Sequence, residues 1–234
     1  MRRATLFATL VLVGATASHA QETGSHLRQF TPAPMTDDSS LTPGERAQRT
    51  MNAYAACLVE RSRKRAEQFV ATDRGSAEES SLVQRIAVAD CLRNGELRFK
   101  PDLLRGGIYE ALYRTDFRRN PPVDLAGRAP VSYFGTKLGM ADRQQAWEPV
   151  LRFADCVARK NAEGVRALIF AAAATKIESA AIAKLQPALN GCLVEGNSVR
   201  FSKIVLRGTL AEALYKLSLA PVAPAAGTAS GTMN

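Results

Sequence analysis

The chain has 234 residues, two histidines, four cysteines, 6% aromatic residues and a formal net charge of +9. One histidine, His19, lies in a segment that we expect to be cleaved, and the other, His26, lies in a polar lead-in, so the sequence excludes imidazole-based catalysis and metal binding. The low aromatic content argues against the stacking platforms that bind single-stranded nucleic acid, and we expect no specific nucleic-acid binding.

Residues 1–20 have the pattern of a secretory signal peptide. Arg2 and Arg3 form a basic start, an apolar stretch follows to Ala17, and small residues stand at 18 and 20, before a cut after residue 20. The alternative, a membrane anchor, needs roughly 20 apolar residues, and this stretch is shorter. We therefore predict a periplasmic or secreted protein with no transmembrane segment in its mature part.

Three later segments are broken by Pro, Gly and Ser and show no helical period. They are a flexible lead-in at 21–41, a linker at 118–140 and a disordered tail at 218–234. Between them lie a first segment, 42–117, and a second segment, 141–217. These two resemble each other: "RGGIYEALYR" at 105–114 returns as "RGTLAEALYK" at 207–216, with an offset of 99 to 102 residues along the whole alignment. We interpret them as two tandem repeat units that arose by internal duplication.

Each unit is predicted to contain four helices. Apolar residues at three-four spacing place the first helix at 43–59 and at 142–159, and a short second helix follows. Ser76 precedes acidic residues and caps the third helix, because carboxylates are favourable at a helix N-terminus. The repeated block forms the fourth helix, which starts near Pro101 in one unit and after Ser202 in the other. With no convincing strand, the sequence predicts an all-α fold of two pseudo-symmetric units.

Four cysteines in an exported chain predict two disulfides, for which three pairings exist. In each unit the first cysteine ends the first helix and the second ends the third helix. The pairing Cys57–Cys91 and Cys156–Cys192 would tie the same two helix ends twice, so we favour it over pairing between units. Each bridge should contribute about 3–4 kcal/mol in the chain-entropy treatment.

The repeated block contains the candidate ligand-binding residues, Arg105 and Arg207. Each lies on the apolar stripe of the fourth helix, where a guanidinium needs a carboxylate, helix-end carbonyls or a bound anion as its partner. A partner within the protein is the structural alternative to a ligand site.

Two further pairs of residues recur in the block. Glu110 and Glu212 each precede a basic residue by four positions, which predicts surface ion pairs rather than catalytic carboxylates. Gly106 and Gly208 each cost about 1 kcal/mol relative to Ala inside a helix. We expect a close helix crossing at these glycines, either between the two fourth helices or between each fourth and first helix.

The export pattern, the two-cysteine helical unit and the R-G-x-x-x-E-A-L-Y block together resemble small exported proteins of alphaproteobacteria with a duplicated helical unit. The resemblance covers about residues 45–114 and 145–216. It implies an exported location and a helical fold, and it implies no activity, cofactor or catalytic residue.

No motif in the chain names a reaction, so we predict no catalytic residue, metal or cofactor. The interpretation that we favour is a non-catalytic protein that binds an envelope component, for which the positive charge suggests an anionic one, or a protein partner. The alternatives are a structural or inhibitor-like module acting through an apolar helix face, and an enzyme that acts on glycans through carboxylates and arginines.

Overall fold

Seven helices account for the regular secondary structure of the described residues, which are 40–86, 91, 99–122, 124–134, 142–193 and 202–224 of a computed structural model. The predicted signal peptide, residues 21–39 of the lead-in, and 225–234 of the tail lie outside these residues. The helices are α1 (Pro43–Ala71), α2 (Ala77–Ile86), α3 (Pro101–Asp116), α4 (Asp142–Lys160), α5 (Ala162–Phe170), α6 (Lys176–Asn190) and α7 (Lys203–Leu219). The prediction of an all-α fold is confirmed.

The predicted first and second helices of the first segment are joined in α1. Thr42 and Glu45 form a capping box at its start, which satisfies backbone N–H groups that have no partner within the helix. Ser62 interrupts it with non-helical angles, φ −144° and ψ 48°. In the second segment Asn161 has similar angles, φ −147° and ψ 65°, and caps α5 after the end of α4. The same local break therefore separates the two helices in both segments.

The helices α3 and α7 form the centre of the molecule. Both are buried on nearly every side over about three turns, as expected of a helix surrounded by others. They cross at Gly106 and Gly208, where a Cβ atom on Gly106 would lie 2.6 Å from the Cα atom of Gly208. The next residue, Gly107, faces Ala55 of α1 at a similarly short distance. The predicted close crossing of the two repeated helices is confirmed.

The two disulfides join the residues that the sequence predicted. Cys57 is bonded to Cys91 with a Cα–Cα distance of 5.7 Å, and Cys156 to Cys192 with one of 5.9 Å. Each bridge closes a loop of similar length, 34 and 36 residues in sequence separation, so each should stabilise the fold by about 4 kcal/mol.

Regular structure continues past residue 218, where the sequence predicted the start of the tail, and part of the linker is fixed by hydrogen bonds. The helix α7 continues to Leu219, and the Ala129 amide then donates to the carbonyl oxygen of Pro221 at 2.9 Å. Arg159 donates to several carbonyls of the linker, including that of Ala129 at 3.0 Å. The expectation of disorder is therefore wrong for residues 218–224, because the linker supplies backbone partners for them.

All the described residues belong to one compact unit. None of the helices in the described ranges combines the length and the apolar character needed to cross a membrane.

Candidate functional site

The repeated arginine of α7, Arg207, lies at the centre of a buried group of charges. Its Nε and Nη2 atoms donate to the two carboxylate oxygens of Glu110 on α3, at 2.6 and 2.8 Å. Its Nη1 atom donates to Glu178 at 2.8 Å, and Nη2 also reaches the carbonyl oxygens of Ile169 and Ala171 at the end of α5. We call these groups the Arg207 cluster. Every guanidinium nitrogen of Arg207 has a partner, and the side chain is 2% exposed.

Glu178 belongs to the start of α6. Thr175 caps this helix by accepting from the Glu178 amide, and the Glu178 carboxylate accepts from the Ala174 amide at 2.9 Å. The carboxylate is buried, and it also accepts from Gln48 of α1 at 2.9 Å. Burial lowers the pKa of Arg207, but hydrogen bonds and charges from the two glutamates outweigh this effect and raise it.

The repeated arginine of α3, Arg105, occupies the corresponding place in the first segment. It donates to the Val70 carbonyl at 2.7 Å, to the Thr72 hydroxyl at 3.0 Å and to the Glu79 carboxylate at 2.8 Å. Glu79 stands three residues after its N-cap, Ser76, as Glu178 does after Thr175. Unlike Arg207, Arg105 makes no contact with the repeated glutamate of the other segment, and its buried Nε atom finds no hydrogen-bond partner within the described residues.

That second glutamate, Glu212, is engaged elsewhere. Arg74 bonds to it and also donates to Asp102 at 2.9 Å, while Lys216 lies 3.0 Å from its other carboxylate oxygen. The Arg74 guanidinium lies 4.7 Å from the ring centre of Trp147, the one tryptophan in the chain. We call Arg105, Glu79, Arg74, Asp102, Glu212 and Lys216 the Arg105 cluster.

The structure corrects the prediction that Glu110 and Glu212 form surface ion pairs. Each does contact the basic residue four positions later, Arg114 at 3.2 Å and Lys216 at 3.0 Å. Both carboxylates are nevertheless buried, and each also pairs with an arginine from another part of the chain: Glu110 with Arg207 of α7, and Glu212 with Arg74 of the loop between α1 and α2. The local spacing was read correctly, but the burial of α3 and α7 on all sides placed these residues in the core.

Arg105 and Arg207 lie in the core as well, and protein groups are their partners. This is the structural alternative that the sequence left open, and a ligand role for the two arginines stays a prediction. Sequence reasoning missed Glu79 and Glu178, although both stand in an S/T-x-x-E pattern, which is the signature of a capping box. That pattern recurs at the same offset as the first cysteines and could have revealed them.

A cleft of about 460 Å³ borders the Arg105 cluster. We call it the tyrosine cleft, because Tyr109, Tyr133 and Tyr215 line it together with Arg105 and Lys216. Its other lining residues, from the end of α1, from α3, from the linker and from α7, are Glu67, Val70, Ala71, Thr72, Asp73, Arg74, Leu112, Ser132, Phe134 and Leu219. Its size lies within the range of about 300–1,000 Å³ that is usual for small-ligand sites.

The tyrosines of this cleft stay uncharged at neutral pH. Burial, together with the charge of Glu212, raises the pKa of Tyr109, and burial beside Asp155 raises that of Tyr133. Burial and Asp116 raise the pKa of Tyr215 to about 12. The Lys216 ammonium lies 5.6 Å from the Tyr109 ring centre and 5.0 Å from that of Tyr133, a cation–π arrangement that fixes the lysine between the two rings.

A second groove, of about 630 Å³, is also lined by linker residues, among them Ser132, Tyr133 and Phe134, which it shares with the tyrosine cleft. Four basic and two acidic side chains line it, but Arg159 is committed to Asp155 and to linker carbonyls, and Lys160 donates to the Gly191 carbonyl at 2.6 Å. Arg152 is 76% exposed and pairs with Glu148. This basic groove contains neither Arg105 nor Arg207, the two candidate ligand-binding residues.

Within the ranges that the structure describes, no group of three or more His, Cys, Asp or Glu side chains could hold a metal ion. The carboxylates of Glu110 and Glu178 share Arg207 as a partner, and both are buried.

No protein-family model, curated protein or solved structure matches this chain. The resemblance to exported alphaproteobacterial proteins therefore stays a prediction. The fold and the geometry define the class by themselves: an all-α protein with two disulfides, a paired set of buried charges and a cleft next to one part of that set.

Proposed function

We propose that this protein is a non-catalytic binding protein of the periplasm or the cell exterior, and that it holds an envelope component in its tyrosine cleft. The observation that carries the proposal is the cleft itself, where uncharged phenols, a lysine fixed between two rings and an incompletely bonded arginine meet. Two disulfides are compatible with an oxidising compartment.

We further propose that the molecule consists of two pseudo-symmetric units. The equivalent breaks at Ser62 and Asn161, the equivalent disulfides and the equivalent capping glutamates support this arrangement. In it, α3 and α7 are related elements that cross at their glycines. Each unit contributes its repeated arginine and glutamate to the interior, and neither unit buries its repeated helix alone.

The commitment of the core carboxylates supports a binding role over an enzymatic one. Glu79, Glu178 and Glu212 are each bonded to arginine and buried, and a catalytic acid or base must be within reach of its substrate. The buried charges therefore pair with one another within the fold, and binding takes place at the cleft beside them.

The test is a thermal unfolding assay on the protein after export by a bacterial host, with its N-terminus read by mass spectrometry. Ligands are envelope polysaccharide, lipopolysaccharide and nucleic acid, each at low and high salt. Ligand at 100 times its dissociation constant adds about 2.7 kcal/mol of stability. For a protein of this size, that raises the midpoint of unfolding by roughly 5–10 °C.

Two variants that each remove one basic side chain separate the two surfaces. Lys216→Met changes the tyrosine cleft, and Arg152→Met changes the basic groove. We expect the ligand-induced rise to be lost with Lys216→Met and kept with Arg152→Met. Loss with Arg152→Met alone would move the site to the basic groove, and the absence of any rise with every envelope component would overturn the proposal.

A further inference from the structure

The two repeated arginines differ at a single atom. The Nε atom of Arg207 donates to Glu110 at 2.6 Å, whereas the buried Nε atom of Arg105 has no partner within the described residues. An N–H group that is buried without a partner is destabilising, because it has lost its hydrogen bond to water and gained no other. An acceptor placed beside Arg105 would recover this free energy.

The surroundings of the two arginines also differ in Arg74. In the first segment this arginine stands at the position that Ala173 has in the second, and it bonds to Glu212. Glu212 would otherwise be the equivalent of Glu110 as the partner of the repeated arginine. Arg74 and Lys216 both pair with Glu212, and Arg105, a lining residue of the cleft, has one buried donor without a partner within the described residues.

The charges around Arg105 indicate what kind of acceptor fits. The Arg105 cluster contains three basic residues, Arg74, Arg105 and Lys216, and three acidic ones, so it is already neutral. The acidic members are Glu79, Asp102 and Glu212. An added anion would leave an unbalanced buried charge, which is costly, whereas an uncharged carbonyl oxygen would not.

We propose that the inner end of the tyrosine cleft binds the acetamido group of an N-acetylated sugar. The amide carbonyl accepts from Arg105, and the acetamido methyl packs against Val70 and Ala71, two of the apolar residues of the same cleft. Nε itself is covered, so the carbonyl reaches it after a side-chain adjustment. This inference rests on the proposed function and specifies its ligand.

Other lining residues of the cleft suit the hydroxyl groups of such a sugar. Glu67, Asp73 and Ser132 line it with oxygen acceptors, and Tyr133 and Phe134 provide ring surface for the apolar face of a pyranose. The combination of one buried donor, a small apolar pocket and a polar rim favours an amide-bearing sugar over a simple anion.

The experiment compares the trisaccharide of N-acetylglucosamine with cellotriose, which has a similar backbone but no acetamido group. Binding is measured by titration calorimetry, and Trp147 fluorescence serves as a second readout because the Trp147 ring contacts Arg74, a lining residue of the cleft. We expect the acetylated trisaccharide to bind at least tenfold more tightly. Arg105→Lys, which lacks the Nε donor, should remove this preference, and Arg207→Lys, a matched change away from the cleft, should retain it.

The outcomes separate this inference from the proposed function. Equal binding of both trisaccharides, or a preference that survives in folded Arg105→Lys, would overturn the acetamido site and leave the cleft as a binding site. If Arg105→Lys does not fold, the wild-type comparison of the two sugars still decides. Binding of neither sugar, with a response to another envelope component, would overturn this inference alone.

Discussion

The Arg207 cluster and the Arg105 cluster are built from the same repeated residues, yet the central arginine is fully hydrogen-bonded in the first and not in the second. In the first, a single arginine bridges two glutamates and two carbonyls, and all its nitrogens are engaged. In the second, Arg74 competes for the glutamate and leaves Arg105 with an unused donor. One additional arginine thus accompanies the difference between a cluster whose central arginine is fully bonded and one that borders a cleft and has an unbonded donor.

The largest expected effect on stability comes from removing the arginine at the centre of the Arg207 cluster. Arg207→Met leaves Glu110 and Glu178 buried without their main partner, and breaking a buried pair in this way costs about 3–5 kcal/mol. Arg105→Met should cost less, because Arg105 pairs with one carboxylate rather than two. Urea unfolding of both variants measures the difference, and equal losses would contradict the comparison.

The glycine crossing provides a second, smaller effect. Gly106→Ala puts a Cβ atom 2.6 Å from the Cα atom of Gly208. Gly208→Ala puts a Cβ atom 3.0 Å from the Cα atom of Gly106. Overpacking of this kind costs about 1–3 kcal/mol, partly offset by the better helix propensity of Ala. We expect Gly106→Ala to be the more destabilising in thermal unfolding. Gly44→Ala, where the Cβ meets no atom within 4 Å, is the control and should be neutral or stabilising.

The loops before α2 and α6 each contain one residue with positive φ, and this residue is glycine in the first segment and alanine in the second. Gly75 has φ 75° and Ala174 has φ 55°, and both are followed by the cap residue of the next helix. Because a left-handed backbone favours glycine, Ala174→Gly should stabilise by about 0.5–1 kcal/mol, and Gly75→Ala should destabilise by a similar amount. The denaturant midpoints of the two variants give the sign of each change in stability. A loss of stability in Ala174→Gly would contradict the prediction.

The smallest expected effect is a dependence on acid pH in the Arg105 cluster. Burial raises the pKa of Glu212, but the charges of Arg74, Lys216 and Arg105 outweigh burial and lower it. The carboxylate therefore stabilises the fold above its unfolded pKa of about 4.3, and this contribution is lost as the pH falls through the lower folded value. Glu212→Gln should flatten the fall of the unfolding midpoint below about pH 4. An unchanged acid profile would contradict this assignment.

Much of the fold could be predicted because it depends on local patterns. Apolar periodicity defined the helices, Pro101 and Ser76 indicated where two of them begin, and the positions of the cysteines at helix ends favoured the correct pairing. The repeated glycines indicated a close crossing, since a residue that costs free energy in a helix needs a packing reason. Each of these signals lies within a few turns of the residues it concerns.

The candidate site could be predicted only in part. The sequence singled out Arg105 and Arg207 as arginines on an apolar stripe, and it placed Glu110 and Glu212 at the surface because a pair four residues apart explained them. Their real partners stand far away in the chain: Arg207 and Glu110 are 97 positions apart, and Arg74 and Glu212 are 138 apart. No local pattern encodes such pairs.

By itself, then, the sequence determined the helices, the disulfides and the repeated glycines, because backbone propensity, capping and loop closure act over short distances or between marked residues. Only the tertiary structure decided that α3 and α7 are buried on all sides and that their glutamates join the core. It also decided that Glu212 pairs with Arg74, while Arg105 pairs with Glu79. The free energy of a buried charge depends on every group that packs around it, and those groups come from distant parts of the chain.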